Sequence, residues 1–212
     1  MFLINRMKHA DVIIVLTHEN LDETNHVNRC VIRTAMESYR SLTVPVVATG
    51  LPVDAVQVQD PRSWAAQFTR DVRRAYRGLH RTEEVQRLTS EILNKVQGPF
   101  LTDYLMHILV GVMAELGWNK KVIVRGSTTH RRRFPSDSEY VLDMCIEYDC
   151  DQIFVGRGQQ LDMSQRIFRK NAVEIITQKW QGSKEIPGRD SILDTLARLD
   201  VDEINSQLTN GI

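Results

Sequence analysis

The sequence predicts an α/β fold: a mostly parallel sheet flanked by helices in three layers, with a helical middle segment and a helical C-terminus. Three observations carry that expectation. Short β-branched runs recur at residues 10–17, 121–125, 152–155 and 173–176. From residue 121 these runs alternate with helix-patterned segments through short connections, and a β-α-β-α-β-α series calls for parallel strands with crossover helices. Between them, residues 60–117 carry helical periodicity almost without interruption.

The first run, Ala10-Asp11-Val12-Ile13-Ile14-Val15-Leu16-Thr17, shows no alternation and has the pattern of a strand buried on both faces. The polar stretch 18–25, with Asn20, Asp22 and Asn25, reads as a loop. Residues 27–33 fit a strand or a short helix, and strand is the reading adopted. Residues 42–47 are strand-like, but Pro45 lacks a donor and confines them to an edge or a bulge. Val56-Gln57-Val58-Gln59 alternates with period two, as a half-exposed strand does.

The helical segment opens at Asp60-Pro61, after which Trp64, Phe68, Val72 and Tyr76 recur every fourth residue. Val85, Leu88 and Ile92 continue on a second helix after Thr82 and Glu83. Pro99 opens a third, with apolar residues from Phe100 to Leu116 in an i, i+1, i+4, i+5 pattern and Gly117 as its C-cap. His107 falls beside that stripe and reads as a surface or boundary residue. Farther on, Ser136 to Glu139 forms a capping box for a helix carrying Tyr140, Val141, Met144 and Cys145. Another helix starts near residues 162–165 with Ile167 and Phe168, and two short ones close the chain at 190–198 and 201–208, the last with a capping box at Asp200 and Glu203.

No linker or repeat divides the 212 residues, which predicts a single domain over 1–212. The hydrophobic fraction is 42%, and 27 Lys+Arg balance 27 Asp+Glu. That composition excludes disorder over most of the length. It also argues against a general duplex-binding protein, whose affinity needs a basic surplus. Three cysteines, Cys30, Cys145 and Cys150, with no CxxC, make neither a disulfide framework nor a zinc ribbon. The six histidines show no HxxxH or HExxH pairing, so no metal site is assigned, and no cofactor can be named. The opening apolar run is too short for a signal peptide or a membrane span, so the expectation is a cytoplasmic protein without membrane contact.

In open α/β sheets ligands bind beyond the carboxyl ends of the strands. Two loops there are chemically loaded: Arg125-Gly126-Ser127-Thr128-Thr129-His130-Arg131-Arg132-Arg133, and Gly156-Arg157-Gly158-Gln159-Gln160. Glycines admit close approach, hydroxyls donate, and arginines clamp oxyanions. Arg125, Ser127, Thr128, Gly156, Arg157 and Gly158 are therefore the candidate residues for holding the phosphate of an anionic small-molecule substrate. Neither loop is a Walker A or a GxGxxG fingerprint, and a solvated basic turn explains residues 131–133 equally well. At the end of the first run, His18 and Glu19 are candidates for acid–base work, but adjacent residues on extended chain point opposite ways, so only one faces a given pocket. His18, Asn28 and Arg29 are the candidate catalytic residues. A second candidate surface is the helix bearing Arg70, Arg73, Arg74 and Arg77 at i, i+3, i+4 and i+7, a basic stripe that suits nucleic acid as the second-choice partner.

The chain resembles the WbqC-like family, proteins typically encoded among bacterial surface-polysaccharide genes. Residues 4–17 resemble its short helix and "ADVFV" strand, Asn28-Arg29 with Ile32 its "NR…I" element, and Leu42-Thr43-Val44-Pro45-Val46 its "LTVPV". Trp64, Tyr76 and Leu116-Gly117 are similar to later family positions, as are residues 149–156 to the "LGAD…YLSG" strand and loop and residues 190–194 to "LSILD". The family's opening HQPNYLPW-type strand and turn have no counterpart here. Arg157 follows the glycine where the family has a small or polar residue, and Leu161 replaces an aromatic. The resemblance implies a group-transfer enzyme moving an amino acid of glycine type, or an amino group, onto a phosphorylated or nucleotide-activated, carbohydrate-related substrate. Two alternatives stand beside it: a non-catalytic nucleotide- or nucleic-acid-binding module, and a diverged inactive subunit. Without the opening strand, a free sheet edge would be open to homo-oligomer pairing.

Overall fold

A computed structural model describes residues 2–21, 27–126, 136–156, 163–183, 185–187 and 190–209. Helix α1 (Phe2–His9) leads into β1 (Val12–Leu16), formed by the first β-branched run. A hairpin follows, β2 (Arg29–Arg33) and β3 (Tyr39–Thr43), antiparallel with Arg29 opposite Thr43. The helical segment comprises α2 (Pro61–Tyr76), α3 (Thr82–Asn94) and α4 (Leu101–Glu115). The alternating portion then runs β4 (Lys121–Arg125), α5 (Asp137–Glu147), β5 (Gln152–Val155), α6 (Gln165–Lys170) and β6 (Glu174–Thr177). Helices α7 (Ile192–Arg198) and α8 (Val201–Leu208) complete the described chain.

Alternation of strands and helices is as expected, and β1 pairs in parallel with β4, as β5 does with β6. The sheet, however, is not one body. The described strands form three two-stranded ribbons, β1–β4, β2–β3 and β5–β6, so the continuous sheet of a three-layer sandwich is replaced by small pieces. Proline accounts for one shift: the strand expected at 42–47 ends at Thr43, two residues before Pro45. Beyond it only single bridges form, Val46 with Val58 and Gln57 with Phe100, so residues 56–59 are bridge positions and not a strand.

The helix boundaries follow local chemistry. Asp60 caps α2 through Ser63 N with Pro61 in the first turn, and Ser136 accepts from Glu139 N at the head of α5. Gly117 takes the left-handed φ of +71° that terminates α4. Two apolar clusters occupy the helical part. One joins Val72 and Tyr76 of α2 to Val85, Ile92, Leu196 and Ile204. The other sets the Trp64 ring edge-on to Tyr104, 5.4 Å between centroids, above Val56 and Leu101. A smaller cluster, Leu142, Cys145, Phe168 and Val173, joins α5 and α6 to the β5–β6 ribbon. Among the described residues, no helix is long and apolar enough to cross a membrane.

Candidate functional site

The carboxyl end of the β1–β4 ribbon is built from two neighbouring backbones. Thr17 N continues the ladder to Arg125 O at 3.0 Å, and the segment after β1 is stitched to residues 50–54. Asp54 N donates to Thr17 O (3.1 Å), Val53 N to Glu19 O (3.0 Å) and Leu21 N to Leu51 O (2.8 Å). Those bonds fix His18 and Glu19, beyond the end of β1, with opposite outlooks. His18 is buried at 6% exposure, whereas Glu19 is exposed. The alternation of an extended chain thus selects the histidine as the inward-facing member of the pair.

His18 is chemically unusual. Both ring nitrogens are buried, and among the described residues neither has a hydrogen-bond partner. Nε2 lies 3.4 Å from Glu19 Oε1, an electrostatic contact without hydrogen-bond geometry. The ring meets Tyr140, in the first turn of α5, edge-on at 5.5 Å. Buried polar groups are paired in the great majority of cases, so two orphaned nitrogens on one imidazole mark a place for a ligand or an ordered water.

Gly126 is the other wall. A Cβ there would stand 2.7 Å from Asp54 Oδ2 and 3.2 Å from Thr17 Oγ1, so glycine lets the chain leave β4 this close to the hydroxyl without displacing the Asp54 carboxylate. Thr17 Oγ1 has two acceptors within reach of its single hydrogen, Asp54 Oδ2 at 3.4 Å and Arg125 O at 3.3 Å. Thr17 falls at the strand end that the sequence marks as a candidate surface, whereas nothing in the sequence marks Asp54 or Tyr140 as site residues. Asp54 arrives from a 3-10 turn thirty-odd residues away, and only the pairing of residues 17–21 with 50–54 brings it in. Glu139, beside Tyr140, has a buried Oε2 with no hydrogen-bond partner among the described residues.

The remaining sequence candidates are distributed as follows. Arg125 ends β4, with its guanidinium bonded to the Glu147 carboxylate and 5.4 Å from the Tyr148 ring. Burial works against its charge, but the Glu147 bond and carboxylate raise its pKa above the ordinary value. Gly156 follows β5. Asn28 donates to Val44 O at 3.0 Å and closes the β2–β3 hairpin, and Arg29, exposed, opens β2 opposite Thr43. Ser127, Thr128, Arg157 and Gly158 lie outside the described residues, as do residues 129–133.

The cysteines are poor nucleophiles here. Burial pushes Cys30 and Cys145 up to about 11, helped by Asp194 at Cys30 and by Cys150 at Cys145. Both are therefore neutral thiols at physiological pH. Among the described residues no three His, Cys, Asp or Glu side chains gather closely enough to hold a metal ion.

Parallel ribbons with crossover helices, and a cluster of polar groups where β1 and β4 end, define a small α/β protein with its candidate site at the strand termini. Residues 3–205, nearly the whole chain, match the WbqC-like protein family, and the chain belongs to it. Comparisons with curated proteins and with solved structures give no match.

Proposed function

We propose that this protein is a group-transfer enzyme whose recess at the ends of β1 and β4 binds a phosphorylated or nucleotide-activated, carbohydrate-related substrate, with an amino acid or amino group as the transferred moiety. The observation that supports it most is the buried His18 imidazole, unpaired among the described residues, beside the Thr17, Asp54 and Gly126 constriction. An imidazole in such a place can take a proton from an attacking amine or hydroxyl and return it to the leaving group. Arg125, Gly156 and residues 127–128 and 157–158 supply the cationic and amide donors for the phosphate in this reading. In the same reading Asn28 and Arg29, on the hairpin, are assigned to the reacting end of the substrate.

Isothermal calorimetry with a nucleoside diphosphate sugar and with inorganic pyrophosphate tests the reading. Saturable binding to the wild-type chain, weakened in His18→Gln and in Arg157→Ala, is expected. With a turnover assay in hand, removing one anion-holding donor lowers the rate by roughly 10²–10³. Unchanged binding and turnover in both Arg125→Ala and Arg157→Ala would discard the anion site.

One observation favours a second reading. Arg70, Arg73, Arg74 and Arg77 are all exposed, and among the described residues none of the four makes an ion pair. They line an open depression of about 810 Å³ with His80. A binding module for an acidic polymer would use this stripe, and its affinity for single-stranded RNA or DNA would fall steeply with salt. Absence of a salt-dependent shift removes it.

A further inference from the structure

Two of the three cysteines meet where α5 ends. The helix closes in a Schellman motif: Cys150 N donates to Cys145 O at 2.8 Å, Asp149 N donates to Ile146 O at 3.3 Å, and Asp149 takes the left-handed φ of +54°. Cys145 is thereby the third residue from the helix end and Cys150 the second beyond its cap, the two positions whose side chains touch across such a turn. The 2.8 Å bond also bounds the backbone. With standard covalent lengths on either side of it, the two Cα atoms stand no more than about 6.7 Å apart. Disulfides span Cα separations of roughly 4.4–6.8 Å, so the pair lies inside the range that a bridge can cover. The side chains share one side of the turn. Cys145, 5% exposed, belongs to the cluster of Leu142, Phe168 and Val173, and Cys150 packs against that cluster. Cys150 Sγ turns back over the helix end, 3.7 Å from Tyr148 O.

We propose that Cys145 and Cys150 form a dithiol that a small-molecule disulfide oxidises reversibly to an intramolecular disulfide across the end of α5. Cys150, the half-buried member, reacts first. Its deprotonated sulfur attacks one sulfur of the oxidant, for which glutathione disulfide serves; that S–S bond breaks, and the departing thiolate takes up a proton. The Cys145 sulfur then attacks the Cys150 sulfur of the mixed disulfide, loses its own proton and releases the second glutathione as a thiol. The two cysteines have lost two protons and two electrons, and the oxidant has taken up both. Burial raises both thiols above their ordinary range, Cys145 to about 11 with Cys150 adding to the rise, and Cys150 with further help from Asp151 and Asp149. The exchange is therefore slow at neutral pH, and the closeness of the second thiol drives it, not the reactivity of the first. Cys30 packs against the α2–α3 cluster and takes no part. Tyr148, between the two cysteines in the chain, has its ring 5.4 Å from the Arg125 guanidinium, so the new bond would fix the turn that carries this contact.

The test equilibrates the intact chain with graded ratios of glutathione to glutathione disulfide at about pH 8.5, where thiolate forms more readily. Free thiols are then alkylated and the chain is cut with trypsin, which leaves Cys145 and Cys150 together on peptide 134–157 and Cys30 on another. That peptide should be lighter by two hydrogens and closed to alkylation, and dithiothreitol should restore it, while Cys30 stays alkylated. The folded chain should hold the bond at an effective thiol concentration about tenfold above that of the same chain in ~8 M urea, where sequence spacing alone brings the sulfurs together. Cys145→Ser should stop at a glutathione adduct on Cys150. Three results overturn the proposal: two free thiols on the wild-type peptide at every ratio, stable glutathione adducts there in place of the internal bond, or folded and urea-unfolded chains oxidised at the same ratio.

Discussion

The α2–α3–α7–α8 region and the β1–β5 region contain equally apolar sequence but differ in how completely it is covered. In the first, Val72, Tyr76, Ala197 and Ile204 are fully buried. The polar groups there are matched as well: Asp194 accepts from Tyr76 Oη (2.7 Å), Arg33 N (2.7 Å) and Ser191 N (2.8 Å). In the second region, β1 is half-buried throughout, His18 has no hydrogen-bond partner among the described residues, and a cavity of about 670 Å³ is lined by residues of β1 and β5. Burial is most complete where helices close on one another and least complete where the small ribbons leave surface uncovered, and the proposed site lies in the second region.

Truncation should expose that contrast most strongly. Leu196→Ala, in the closed cluster, should cost about 2–5 kcal/mol in urea unfolding, from lost burial and an unfilled cavity. Ile14→Ala on β1 should cost about 1–2 kcal/mol, because water already reaches part of that side chain. Equal losses would erase the distinction between the regions.

A smaller effect comes from Tyr76→Phe, which removes the hydroxyl donor to the buried carboxylate and should cost about 1.5–3 kcal/mol. The same carboxylate sets a pH signature. Burial raises the Asp194 pKa above its ordinary 3.8, against the pull of its three donors, and Asp190 adds to the rise. Between 3.8 and that raised value the folded chain holds a proton that the unfolded chain has released, so this residue's contribution to stability declines as pH rises through the window. Urea midpoints across pH 3.5–6 should lose that component in Asp194→Asn.

Gly126→Ala should cost only about 1 kcal/mol of stability, at the low end of the overpacking range, because the Asp54 carboxylate can give way to the new methyl. Its mark should be on binding, since the shift breaks the Thr17–Asp54 contact and narrows the recess. A variant with wild-type affinity for a nucleoside diphosphate sugar would remove Gly126 from the site.

Much of this was legible in the residues. Four-residue spacing from Trp64 to Tyr76 locates α2, Ser136 and Asp200 mark helix starts, and the β-branched runs locate β1, β4 and β5. What period and composition do not encode is how strands from different parts of the chain assemble. Nothing in Val12 to Leu16 says that the strand will pair in parallel with Lys121 to Arg125, and nothing near Asp54 says that it will lie beside Gly126. His18 was readable as a candidate from its place after a strand. Its burial and its lack of a hydrogen-bond partner among the described residues follow from the stitching of residues 17–21 to 50–54, a tertiary event. Arg125 illustrates the converse: its position at a strand end is local, whereas its engagement by Glu147 depends on where α5 lies.

The central claim is that the recess beside His18 receives an anionic, nucleotide-activated substrate. Histidine side-chain NMR, followed during titration with a nucleoside diphosphate sugar, tests it most directly. The account predicts a saturable shift of the His18 ring resonances, assigned by their loss in His18→Gln, while those of His80 and His107 stay in place. Binding that moves His80 and leaves His18 unmoved, or no binding at millimolar ligand, would contradict it.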